Sequence, residues 1–221
     1  MTPGDNIIYF NMSSPGPKYD IRLCPKNACT TMKGVYVLTH FDRNSLVQQK
    51  ANFDRLGLGT VYRTKKIREY ASPIDPPFRK GSIRVAIKRN PVKRFQSACA
   101  YLYKQSMLGD KPKDTLLKGK VDVGTTIDDV LLQIENGTIN DTHFFSQNYY
   151  MGNSRDYDLL IDISDLPQFL NKLESEVEPK SSFKHLWVND TKDVHSYNIL
   201  SERQIDLVRD LYKQDYKYGW Y

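Results

Sequence analysis

Twice in this chain a short alternating apolar segment runs into a cation-bearing turn and then into an amphipathic helix, and that repeated order restricts the fold to strands joined by helices. In the first copy Tyr19-Asp20-Ile21-Arg22-Leu23-Cys24 alternates as a half-buried strand does, and Pro25 stops it. Thr30 or Thr31 offers an N-cap for a helix that carries Met32, Val35, Tyr36 and Leu38 on its apolar side. A strand, a tight loop and a helix N-terminus form an anion site. Here backbone N–H groups, two hydroxyls (Thr30, Thr31) and two lysines (Lys26, Lys33) would converge on one phosphate or sulfate. The same residues would also make a basic turn with no ligand.

The loop Cys24-Pro25-Lys26-Asn27-Ala28-Cys29-Thr30-Thr31-Met32-Lys33 lacks both glycines of a Walker A motif, and its first lysine sits at the strand end instead of closing the loop. A lysine there can neutralise charge on the bridging oxygen between a leaving phosphate and a transferred group. The second copy is Ile83-Arg84-Val85-Ala86-Ile87-Lys88 followed by Arg89-Asn90-Pro91-Val92-Lys93-Arg94-Phe95-Gln96-Ser97. Pro91 suits a first helical turn, which sets Arg94, Ser97 and Tyr101 along one helix face. Arg89 at the strand end and Ser97 on that face could share one phosphate. A basic amphipathic helix after a buried strand is the plainer reading.

Taken together, the two loops resemble those of sulfotransferases that use 3′-phosphoadenosine-5′-phosphosulfate (PAPS). Pro25-Lys26-x-x-x-Thr30-x-x-Lys33 is similar to the family's 5′-phosphosulfate loop, and Arg89-Asn90-Pro91-x-x-Arg94-x-x-Ser97-Ala98 to its 3′-phosphate signature. Trp187-Val188-Asn189-Asp190-Thr191 and the run from Tyr212 to Tyr221 resemble the closing segment of carbohydrate sulfotransferases. The resemblance implies an α/β, P-loop-like fold: a central, mostly parallel sheet flanked by helices on both faces, with the phosphate loops at strand C-terminal ends. It implies PAPS as sulfuryl donor with no metal required, held by Lys26, Asn27, Ala28, Cys29, Thr30, Thr31, Lys33, Arg89, Arg94 and Ser97. Lys26 would stabilise the leaving phosphate.

Transfer to a hydroxyl also needs a base. Asp141-Thr142-His143-Phe144-Phe145-Ser146-Gln147 resembles the Asp-x-His-x-x-x-Gln segment that follows the 3′-phosphate motif in the carbohydrate group, making His143 the base. A partly buried histidine among aromatic residues is the competing reading. Glu69 and His40 are the alternative bases, and His185 and His195 are undecided. The chain departs from the animal pattern at Ile161-Asp162-Ile163-Ser164-Asp165-Leu166 and lacks the cysteines those enzymes place around the histidine segment, which leaves the acceptor open.

At 221 residues and 39% hydrophobic content the chain is expected to form one soluble domain over residues 1–221. A net charge of +6 favours acidic ligands, and the dispersal of its basic residues argues against nucleic acid. Three cysteines (Cys24, Cys29, Cys99) suggest no disulfide framework, and no Cys/His cluster has zinc spacing. With no signal peptide or membrane span in view, the expectation is a cytoplasmic enzyme of a bacterium or phage-infected cell acting on a glycan or polysaccharide. A truncated Golgi lumenal domain is the other option. The four Asn-x-[Ser/Thr] sites are read as unmodified. Between the motifs, residues 44–56 read as a polar helix, 65–80 as a basic stretch beside the acceptor and 107–123 as a mobile loop. Residues 126–136 read as a helix with a Thr126/Asp129 capping box and Gly137 as its stop. The alternatives in other classes are a P-loop kinase or NTPase, and a non-catalytic binder of anionic glycans or nucleotides. The strand at residues 83–88 ends in Lys88-Arg89 where a kinase would need an acidic metal ligand.

Overall fold

The structure, a computed structural model, describes residues 7–10, 17–40, 78–107, 125–139, 141–177, 179, 182–183 and 199–221. In chain order its elements are β1 (Ile7–Phe10), β2 (Tyr19–Arg22), α1 (Cys29–His40), β3 (Ile83–Lys88), α2 (Pro91–Met107) and α3 (Ile127–Glu135). A 3-10 turn (Thr142–Phe144), α4 (Gln147–Met151) and a second 3-10 turn (Ser154–Asp156) follow. The chain closes with β4 (Leu159–Asp162), α5 (Leu166–Val177), α6 (Glu202–Leu211) and α7 (Lys213–Lys217). The chain divides into two compact units, Met1–Lys88 with Tyr150–Asn189, and Arg89–Tyr149 with Asp190–Tyr221. The sequence-expected helix at residues 44–56 and the stretches 65–77 and 108–123 lie outside the described residues.

The first unit is α/β. Its sheet runs β1-β2-β3-β4, with β2, β3 and β4 parallel and β1 antiparallel on β2. Because successive side chains leave a strand on opposite faces, Tyr19 and Ile21 share one face with Ile83, Val85, Ile87, Leu159 and Ile161 of the register-matched strands. That face packs against Met32, Val35 and Leu38 of α1 and Leu166, Phe169, Leu170, Leu173 and Val177 of α5. The spacing of three and four in α5 is what lays those five side chains along one stripe. Each fully buried side chain of this size contributes about 1.5–3 kcal/mol over its exposed state. Tyr19 also donates its hydroxyl to Glu176 on α5, and burial is the main cause that pushes the phenol's pKa up. Helices on both faces were expected; the described residues of this unit set α1 and α5 on the same face.

The opposite face of β2 carries a feature the alternation did not reveal. Asp20 is fully buried and accepts the Arg79 backbone N–H and Nε, each at 2.6 Å, while the Arg79 Nη2 lies 2.5 Å from Oδ1. Ser82 Oγ adds a contact of 2.6 Å to the other carboxylate oxygen. The charge pair therefore fastens the approach to β3 onto β2. Removing Asp20 leaves the Arg79 guanidinium, 23% exposed, without its counter-charge, at a cost of about 3 kcal/mol, the low end for a buried pair. Asp20→Ala should thus lower the melting temperature by roughly 10 °C in calorimetry, given the shift per kcal/mol usual for chains of this length. Adding Arg79→Leu to Asp20→Ala should recover part of that loss; equal melting points for wild type and Asp20→Ala would show the pair to be idle. At the start of β3, Arg84 makes a second pair with Asp158, whose carboxyl is held down to about 2 chiefly by the guanidinium hydrogen bonds.

The second unit is helical. Asn90 caps α2 through its side chain, accepting from Val92 and Lys93, and Pro91 takes the first helical position as expected. Thr126 and Asp129 form the expected capping box on α3, and the chain leaves that helix through Gly137 at φ +66. Ser201 and Gln204 form another box on α6. Phe95, Ala98, Cys99 and Leu102 of α2 share a core with Val130 and Leu131 of α3, Phe144, Val208 and Tyr212. Burial pushes the Cys99 thiol well above its ordinary pKa, so it packs as an inert apolar group. Gly219, at φ +75, lets the chain turn so that Trp220 becomes fully buried and donates its backbone N–H to the Asp215 carbonyl at 2.9 Å. Among the described residues no helix is long and apolar enough to cross a membrane.

Candidate functional site

In the first unit, the loop between β2 and α1 lies at the C-terminal end of a parallel strand, the edge where open α/β sheets place ligands. Its first turn closes when the Asn27 N–H donates to the Cys24 carbonyl at 3.1 Å. Lys26 and Ala28 both adopt left-handed backbone, φ +66 and +57, on either side of Asn27. Neither residue is a glycine, so each conformation costs about 1–3 kcal/mol and persists only because its surroundings impose it. Asn27 supplies the restraint: its side chain is fully buried and Nδ2 donates to the Ile87 carbonyl of β3 at 2.8 Å. Left-handed residues on either side of an ordinary one are the backbone pattern from which anion-binding nests are built, here with the Asn27 N–H already committed to the Cys24 carbonyl.

The helix start differs from expectation in a way that favours this use. Met32 N–H donates to the Ala28 carbonyl at 2.9 Å, which makes Ala28 the N-cap in place of Thr30 or Thr31. Alanine has no side-chain oxygen with which to cap, so the amides of residues 29–31 begin the helix without that satisfaction. Thr31 is nearly buried on the first turn and Cys29 is partly exposed, as is Lys26. Thr30 and Lys33 belong to α1, their side chains lying outside what is described. His40 is the last residue of α1, about 16 Å along the axis from the helix start, which separates this candidate base from the loop. Glu69, His185 and His195 lie outside the described residues.

In the second unit the face expected to carry Arg94, Ser97 and Tyr101 is real, and it meets the histidine segment. Asp141, 2% exposed, accepts both the His143 backbone N–H at 2.8 Å and its ring Nδ1 at 2.6 Å through the same Oδ1. The Tyr101 ring lies along the imidazole at 4.8 Å between centroids, tilted by 35°. In the neutral ring, a proton on Nδ1 donated to that carboxylate would leave Nε2 with the acceptor lone pair. The side chain of His143 remains 22% exposed. A histidine ring held by a buried carboxylate is the kind of pair from which proton-abstracting sites are built. Sequence reading found the segment but gave Asp141 no role. The signal was present in the Asp-x-His spacing, which a 3-10 turn converts into a ring contact.

Arg89 and Arg94, both expected on the 3′-phosphate, have different surroundings. Arg89 is partly exposed, and its backbone N–H is fixed by Gln147 Oε1 at 2.9 Å. Arg94 is fully buried; its Nη2 donates to the carbonyls of His143 at 3.1 Å and Phe145 at 2.5 Å. Ser97 is 8% exposed. Gln147 and Asn148 in turn contact Asp215, a fully buried carboxylate whose pKa is raised by burial despite those hydrogen bonds. Among the described residues no group of three or more His, Cys, Asp or Glu side chains is placed to hold a metal ion.

Compared with protein families, curated proteins and solved structures, the chain matches none.

Proposed function

We propose that this chain transfers a sulfuryl group from PAPS to a hydroxyl of a carbohydrate or related acceptor by in-line displacement. The observation that carries the reading is the loop at residues 24–31, a glycine-free turn with left-handed backbone at Lys26 and Ala28 that leads into a helix whose N-cap, Ala28, has no side-chain oxygen. Such a loop fits the chemistry of a phosphosulfate: fixed N–H dipoles hold oxyanions, and they need no metal to do so. In this reading Lys26 meets the bridging oxygen as the sulfur–oxygen bond breaks and stabilises the charge left on the phosphate. Arg89 and Ser97 hold the 3′-phosphate that distinguishes this donor from an ordinary adenine nucleotide. His143 Nε2 removes the acceptor proton, while Asp141 keeps the ring in the right tautomer and stabilises the imidazolium. The acceptor hydroxyl lies in line with the breaking bond, which is where orientation alone lowers the barrier most.

Calorimetry with adenosine 3′,5′-bisphosphate tests this directly. Binding in the micromolar range without magnesium is expected, and Arg89→Ala or Ser97→Ala should weaken it tenfold or more, as loss of a charge-assisted phosphate contact does. A strict magnesium requirement would favour a kinase or NTPase, and binding unchanged in both variants would remove the 3′-phosphate assignment.

A further inference from the structure

We propose that Arg94 is a positioning residue for the base His143 and makes no contact with the nucleotide. The proposal rests on the sulfotransferase reading of His143 given above. Within the second unit the guanidinium of Arg94 is fully buried and spans two carbonyls, those of His143 and Phe145, which bracket Phe144. The Tyr212 ring lies 5.5 Å from its central carbon. Asp215, also fully buried, supplies the opposite charge that such a cation needs, and it is itself held by the Asn148 N–H at 2.8 Å.

The geometry gives His143 two independent restraints. Asp141 holds its ring and its N–H, and Arg94 holds its C=O. Both bonds come from one nitrogen, Nη2, whose two N–H directions are fixed by the planar guanidinium, whereas a lysine ammonium brings its charge on a flexible stem with no such fixed direction. A base displaced by about 1 Å loses on the order of a hundredfold in rate, so a group that fixes the turn from beneath acts on turnover and not on donor affinity. Phe144, between the two bonded carbonyls, is itself buried against Phe95 at 5.7 Å, which leaves the turn no other way to settle.

The test uses the full chain with Arg94→Gln and Arg94→Lys. Affinity for adenosine 3′,5′-bisphosphate should stay within about threefold of wild type, while kcat falls roughly 30- to 100-fold with little change in the KM for PAPS. The downfield Nδ1–H proton resonance of His143, identified by its disappearance in His143→Gln, should broaden or vanish in Arg94→Gln and in Asp141→Asn. Nucleotide affinity lost more than tenfold with that resonance intact would overturn the proposal. Should the variants fail to fold, the wild-type protein decides: on titration with adenosine 3′,5′-bisphosphate the side-chain N–H signals of Arg89 should move and those of Arg94 should not. A shift of the Arg94 signals equal to that of Arg89 would overturn the assignment. Wild-type protein that binds no nucleotide would end the sulfotransferase reading, whereas the dependence of the His143 resonance on Arg94 would still be decided by its own measurement.

Discussion

Lys26→Ala should lower turnover by about a thousandfold while leaving affinity for adenosine 3′,5′-bisphosphate within tenfold of wild type. The asymmetry follows from when the ammonium matters. In the bound donor the bridging oxygen carries little charge, and the contact gains strength only as the bond to sulfur breaks. A group that stabilises the transition state alone costs kcat and kcat/KM equally when it is removed. Alanine and lysine both carry a Cβ, so Lys26→Ala leaves the strain of the left-handed backbone unchanged. Lys26→Gly relieves that strain and should be equally inactive but somewhat more stable. Thr30→Ala and Thr31→Ala should weaken binding instead. Single-turnover rates beside calorimetric affinities check all four; equal loss of binding and rate in Lys26→Ala would make the lysine a ground-state anchor.

His143→Ala should reduce turnover with an alcohol acceptor about a hundredfold or more, again with donor affinity intact. Asp141→Asn should share the loss, because a neutral amide replaces the carboxylate that now lies 2.6 Å from the ring Nδ1. His40→Ala should behave as wild type, in keeping with its place at the far end of α1. Near-normal turnover in His143→Ala together with a dead but folded Glu69→Gln would move the base to Glu69.

The parts of the fold legible in the sequence are those fixed by local chemistry. Thr126 with Asp129, and Ser201 with Gln204, each announce a helix start within four residues, as Pro91 announces a first helical turn, and each holds. Alternation over residues 19–24 located β2, which spans Tyr19–Arg22. What stayed hidden depends on distant partners. Asp20 looked like one more polar residue on a solvent face until Arg79, 59 residues later, is seen bonded to it. The N-cap moved from the threonines to Ala28 because the turn before α1 is shaped by the bond from Asn27 to β3, which no local propensity encodes. Arg94 sat inside a phosphate-like motif, and only its burial assigns it to the histidine turn.

The bond from Asn27 to Ile87 spans 60 residues of chain, so the shape of the loop after β2 is a long-range property of the sheet. Closing so large a span is entropically costly and is offset only once β3 has paired beside β2. The loop should therefore gain its left-handed turns late in folding, after strand pairing, and an isolated peptide of residues 17–40 should lack them. If the loop holds an oxyanion as proposed, that binding becomes a reporter of completed sheet assembly, so a refolding chain monitored by anion binding should register the slow, topologically demanding step instead of the early formation of α1.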